Sequence, residues 1–73
     1  MRASLLAKAK DVTGWSDDQL ARVVGVSRQL VQKVIAGETP EYLTAPQTAA
    51  LMAAVRLYVA QLRQGLEELE ALR

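Results

Sequence analysis

The side chains able to do chemistry fall into three groups, and helix physics accounts for two of them. Asp17 and Asp18 are adjacent carboxylates, but they follow a serine at the start of an apolar-periodic run, where the helix dipole favours negative charge. Glu67, Glu68 and Glu70 stand near the end of a long helical stretch and read as a solvated face. Neither group has a nucleophile with a base beside it. The chain holds no cysteine and no histidine, which removes disulfides, thiolate metal sites and the commonest general base. No glycine-rich phosphate loop is present. The expectation is a protein that is not an enzyme, with no catalytic residue, metal ligand or cofactor. The third group is Ser27, Arg28, Gln29, Gln32 and Lys33, a set of hydrogen-bonding side chains in one short segment. Its plain reading is a solvated helix face; its other use is recognition.

Four helices can be placed from their punctuation, and strand signals are weak. The first runs from about Arg2 to Val12, with Leu5, Ala9 and Val12 at helical spacing, Leu6 widening the stripe and Gly14 ending it. The second begins at Ser16, where Ser16-Asp17-Asp18-Gln19 predicts a reciprocal capping box and Trp15 with Leu20 a hydrophobic staple. It ends at Val24, before Gly25. The third is capped by Ser27, with Val26 and Val31 as a second staple, and ends near Ala36 with Gly37 as its cap. Residues 37–43 (GETPEYL) form a loop around Pro40. Thr44 and Gln47 then box the start of a fourth helix, with Pro46 in its first turn. If continuous to Leu72, this helix is about 42 Å long at about 1.5 Å per residue, more than so small a domain can cover. Gly65 permits a break and a mobile tail beyond it.

Residues 17–39 carry the layout of a helix-turn-helix core. Ala21 is small where two helices approach closely, and Gly25 suits the tight turn between them. Leu20, Val24, Val26, Val31 and Val34 are the apolar positions that lock the pair. The whole chain, 1–73, is expected to be one all-α, compact helix-turn-helix domain with a long C-terminal helix over 45–72. The segment resembles the lambda-repressor and Cro-like helix-turn-helix family, through Gln19-Leu20-Ala21, Val24-Gly25-Val26-Ser27, Val31, Val34 and Gly37. That resemblance implies a third helix whose N-terminal residues meet base edges in the major groove. Carried over, the readers are Ser27, Arg28, Gln29, Gln32 and Lys33. Arg28 can bond guanine bidentately and Gln29 adenine, while Ser27 and Lys33 hold phosphates. Arg22, Lys8 and Lys10 are the flanking cations. Leu30 stands among the expected exposed residues, as a contact for a thymine methyl or an anchor for a protein.

Charge complicates the DNA reading. Nine Lys and Arg face eight Asp and Glu, for a net of +1, whereas DNA binders draw much of their affinity from a basic excess. The excess is local: residues 1–36 carry +3 and residues 37–73 carry −2. In size and layout the whole chain also resembles the class of small phage-encoded transcription regulators, from a phage of Xanthomonas, that bind the host RNA polymerase, block initiation and suppress termination. This resemblance implies the large subunits of bacterial RNA polymerase as partner. Together with the charge, it places polymerase binding first and a dimeric, sequence-specific repressor of the Cro type second.

Along the fourth helix, Met52, Val55, Val59, Leu62, Leu66 and Leu69 repeat at alternating intervals of three and four, a heptad seam. Its first half, with Leu51, is expected to pack on the domain. Leu62, Leu66, Leu69 and Leu72 are left to make a homodimer, dock on a partner or fold back. The apolar run at Leu5–Ala7 is too short for a secretory signal, and no stretch is long enough to span a membrane. The expected setting is the cytoplasm, that of a host bacterium if the chain is phage-encoded.

Overall fold

Four hydroxyl groups start the four helices. Ser4, Ser16, Ser27 and Thr44 each adopt extended backbone angles and accept a hydrogen bond from the amide three residues on, those of Ala7, Gln19, Leu30 and Gln47. Each bond satisfies one of the donors that a helix start leaves unpaired. In the computed structural model, which describes residues 4–73, these caps begin α1 (Leu5–Thr13), α2 (Asp17–Val24), α3 (Arg28–Ile35) and α4 (Ala45–Ala71). No strand occurs among the described residues. The expected start of the first helix at Arg2 lies outside them. Thr44 and Gln47 form the complete reciprocal box. At α2 only the Ser16 half is made, at 3.2 Å, and the Gln19 side chain stays in solvent.

The turn between α2 and α3 is built as the sequence predicts. Gly25 takes φ +85°, a conformation that costs little only without a Cβ, and the amides of Gly25 and Val26 both return to the Ala21 carbonyl. At the end of α3, Gly37 (φ +80°) donates to Val34 at 3.1 Å and Glu38 to Lys33 at 2.9 Å, which closes a Schellman motif.

The core is formed by Leu6 and Ala9 of α1, Leu20, Ala21 and Val24 of α2, Val31 and Val34 of α3, and Leu51 of α4. Trp15, Val23, Val26, Leu30, Ile35, Leu43 and Val55 pack around it, half-buried. The α3 helix rests on α1 and α2, and α4 rests on the same two helices, with no close backbone approach between α3 and α4. Consequently the outer faces of α3 and α4 are separate surfaces.

Two faces differ from expectation. On α1 the buried row is Leu6, Ala9 and Thr13, while Leu5 and Val12 are 43% and 44% exposed. The buried threonine is tolerated because its hydroxyl donates to the Ala9 carbonyl at 2.7 Å and accepts from the Trp15 amide at 3.2 Å. With that cost removed, the helix turns its small Ala9 and long Leu6 inward. On α4 the domain-facing row is Leu51, Val55 and Tyr58, one step around the helix from the heptad seam, with Tyr58 meeting Trp15 edge-on at 5.6 Å. Met52 and Val59 are therefore exposed rather than packed on the domain.

The α4 helix runs unbroken through Gly65 for 27 residues, about 40 Å. The molecule measures 47 × 22 × 22 Å, so the C-terminal part of this helix extends past the four-helix body instead of folding back. None of the helices is long and apolar enough to cross a membrane, among the described residues.

A carboxylate from the loop holds the first helix. Glu41 Oε1 accepts from the Leu5 amide at 2.9 Å, and its Oε2 accepts from the Leu6 amide at 3.0 Å and from the Ser4 hydroxyl at 2.7 Å. Partial burial pushes the Glu41 carboxyl up, but the three hydrogen bonds outweigh it and hold the group below its ordinary value of 4.5. A carboxylate depressed in the folded state contributes stability above its unfolded pKa and loses it as pH falls through the folded value. Glu41→Gln is thus expected to lower stability at pH 7 by roughly 0.5–2 kcal/mol, the usual worth of a helix cap. The gap between the two proteins should narrow as pH drops below about 4.5. Thermal melts of both from pH 7 to pH 3 measure it; a gap that does not change with pH would show that the charge contributes nothing.

Candidate functional site

The α3 helix has one buried side and one open side, and the division follows from its sequence. Val31 and Val34 lie in the core, with Leu30 and Ile35 half-buried beside them. Arg28 and Gln32 are one turn apart, as are Gln29 and Lys33, so all four fall on the opposite side. All four are exposed, and none of their side chains has a hydrogen-bond or ion-pair partner among the described residues. Ser27 sits at the N-terminal edge of this face. Its Oγ accepts from the Leu30 amide at 3.1 Å, which leaves its hydroxyl proton free to donate. The helix itself bears Arg28 and Lys33 and no acid.

Five of the seven expected site residues, Ser27, Arg28, Gln29, Gln32 and Lys33, are therefore brought together on one helix face. Arg22 is placed on α2, with its side chain 80% exposed and 3.7 Å from Asp18. A solvent-exposed pair of that length holds the arginine weakly and leaves it able to reach another anion. Leu30 does not belong to the exposed set. It packs against the core, because it stands next to Val31 on the boundary of the buried stripe. The flanking cations are fewer than the sequence suggests. Lys10 is tied to Asp17 at 2.7 Å, joining α1 to α2, and Lys8 lines a groove between α1 and α4 whose lining includes no residue of α3.

That groove was not anticipated from the sequence. It is lined by Leu5, Lys8, Ala9 and Val12 of α1 and Leu51, Met52 and Val55 of α4. Beyond it along α4, Leu62, Leu66 and Leu69 are 54%, 57% and 65% exposed. The signal that could have revealed the groove is the pair of apolar residues on α1, Leu5 and Val12, left over once Leu6 and Thr13 are assigned to the core. Among the described residues no three His, Cys, Asp or Glu side chains gather as a metal site.

No protein-family model matches the chain, and no curated protein or solved structure is detectably similar to it. The likeness to lambda-repressor and Cro-like proteins thus rests on the motif residues alone.

Proposed function

We propose that the chain is a non-enzymatic transcription regulator that works in the bacterial cytoplasm and reads duplex DNA with the open face of α3. The observation that carries this reading is the character of that face. It presents Ser27, Arg28, Gln29, Gln32 and Lys33 outward without an acid among them; Ser27 keeps a hydroxyl proton to donate, and the other four side chains have no partner among the described residues. These are the donor and acceptor types that address base edges and phosphates in the major groove. A protein-binding helix more often centres on a large apolar or aromatic anchor. The residue that would have supplied one here, Leu30, is turned partly into the core.

A second reading is supported by the thin basic flank. With a net charge of +1, Lys10 engaged by Asp17 and Lys8 on another face, little remains to clamp a phosphate backbone. In that reading the partner is the large subunits of bacterial RNA polymerase, and the effect is inhibition of initiation or antitermination.

Selection of bound duplexes from a random-sequence library at about 50 mM salt separates the two. The expected result is enrichment of a short motif, with affinity that falls as salt rises. If no duplex is enriched and the chain instead co-elutes with purified bacterial RNA polymerase, the second reading replaces the first.

A further inference from the structure

The exposed seam of α4 and the groove beside α1 have one occupant in common. We infer that a second copy of this chain packs along them in the antiparallel sense, the C-terminal half of each α4 lying in the other's α1–α4 groove. Spacing carries the first part of the argument. In one register, Met52 falls opposite Leu69 of the second copy, Val55 opposite Leu66 and Val59 opposite Leu62, and the two-fold axis repeats all three contacts. Every seam residue then meets an apolar partner, as knobs-into-holes packing requires, Val55 through the part of its side chain that borders the groove. The same register lays residues 61–71 of one copy over residues 50–60 of the other. That upper stretch is the part of α4 that borders the groove, with Leu5 and Val12 at its edge. One arrangement therefore covers both apolar surfaces that the single chain leaves open.

Charge selects the direction. Glu67, Glu68 and Glu70 cluster on the projecting end, while Lys8 and Arg56 flank the seam on the domain. In the antiparallel register the second copy's Glu68 comes to the Lys8 side. Its Glu67 and Glu70 come to the Arg56 side, where its Arg63 is the one like charge. A parallel pair would set the two acidic ends against each other, and like charges side by side are disfavoured. Because the groove is lined by α1 and α4 alone, both open α3 faces stay free in the pair, so the inference holds whatever α3 binds.

The chain has no cysteine, so introduced thiols report position without interference. Light scattering of the native chain at ~1 mM is expected to give about twice the 8.0 kDa of one chain. Leu66→Lys should return the mass to that of one chain with its helical circular dichroism intact, since Leu66 is exposed in the single domain. Met52→Cys mixed with Leu69→Cys should oxidise to the mixed disulfide. Met52→Cys alone should not, because its two thiols would lie about 25 Å apart along the helix. A native mass of 8.0 kDa at that concentration would overturn the inference. A disulfide formed readily by Met52→Cys alone would overturn the antiparallel packing.

Discussion

Leu20→Ala is expected to lower the melting temperature by on the order of 10–30 °C and to leave much of the population unfolded at 37 °C. Leu20 is wholly buried, at 0% exposure, on one of the two helices that pack against all three others. Truncating such a leucine costs about 2–5 kcal/mol, the transfer term plus the cavity left behind. A domain of this length holds about 4–11 kcal/mol in total, and each kcal/mol moves its midpoint by about 4–8 °C. Among the described residues the core has eight buried apolar side chains, and the chain has no cysteine with which a disulfide could share the loss. Leu62→Ala is the control. It removes the same atoms from a position 54% exposed, so the single chain should melt within about 3 °C of the native one when diluted enough to be monomeric. Melts of both variants followed by circular dichroism at low concentration check this. A Leu20→Ala midpoint no lower than that of Leu62→Ala would show that the core is elsewhere.

The contrast between these two leucines also marks how far the sequence can be read. Around Leu20 every signal is local. Ser16 and Ser27 cap the next helix within three residues, Gly25 and Gly37 close the ends, and the apolar spacing places Leu20, Val24, Val31 and Val34 inward. The open face of α3 is legible for the same reason, because fixing the buried stripe of the helix fixes its open side. What the sequence hides are choices made between elements. Whether α1 buries Leu5 and Val12 or Leu6 and Thr13 depends on a hydroxyl finding the Ala9 carbonyl, which composition does not reveal. Leu30 lies at the edge of a stripe, where one residue of rotation decides exposure. Glu41 reaches the start of α1 across 35 to 37 positions, so no spacing rule connects it to Ser4. Along α4 the heptad repeat is real, yet the domain takes the neighbouring row of Leu51, Val55 and Tyr58. The seam's remaining residues then face outward.

Arg28→Ala is expected to weaken binding to the selected duplex by roughly 5- to 150-fold, the worth of one bidentate arginine–guanine pair at about 1–3 kcal/mol. It should also erase the preference at a single position of the motif. Folding stability should stay within about 0.5 kcal/mol of the native value, because the side chain is exposed and bonded to nothing among the described residues. Two companions distinguish reading from simple attraction. Gln29→Ala should relax a different position, an adenine, with a similar loss. Lys33→Ala should weaken all duplexes alike and reduce the steepness of the salt dependence by about one unit, as expected when one phosphate contact is lost. Charge attraction alone would make Arg28→Ala behave like Lys33→Ala, with both losses uniform and Gln29→Ala silent. A protein-docking face would leave duplex binding unaffected by any of the three and weaken retention on RNA polymerase instead. Anisotropy titrations of the three variants against the selected duplex and its single-base variants therefore test the assignment residue by residue. If Arg28→Ala binds with unchanged affinity and unchanged base preference, α3 is not the reading surface.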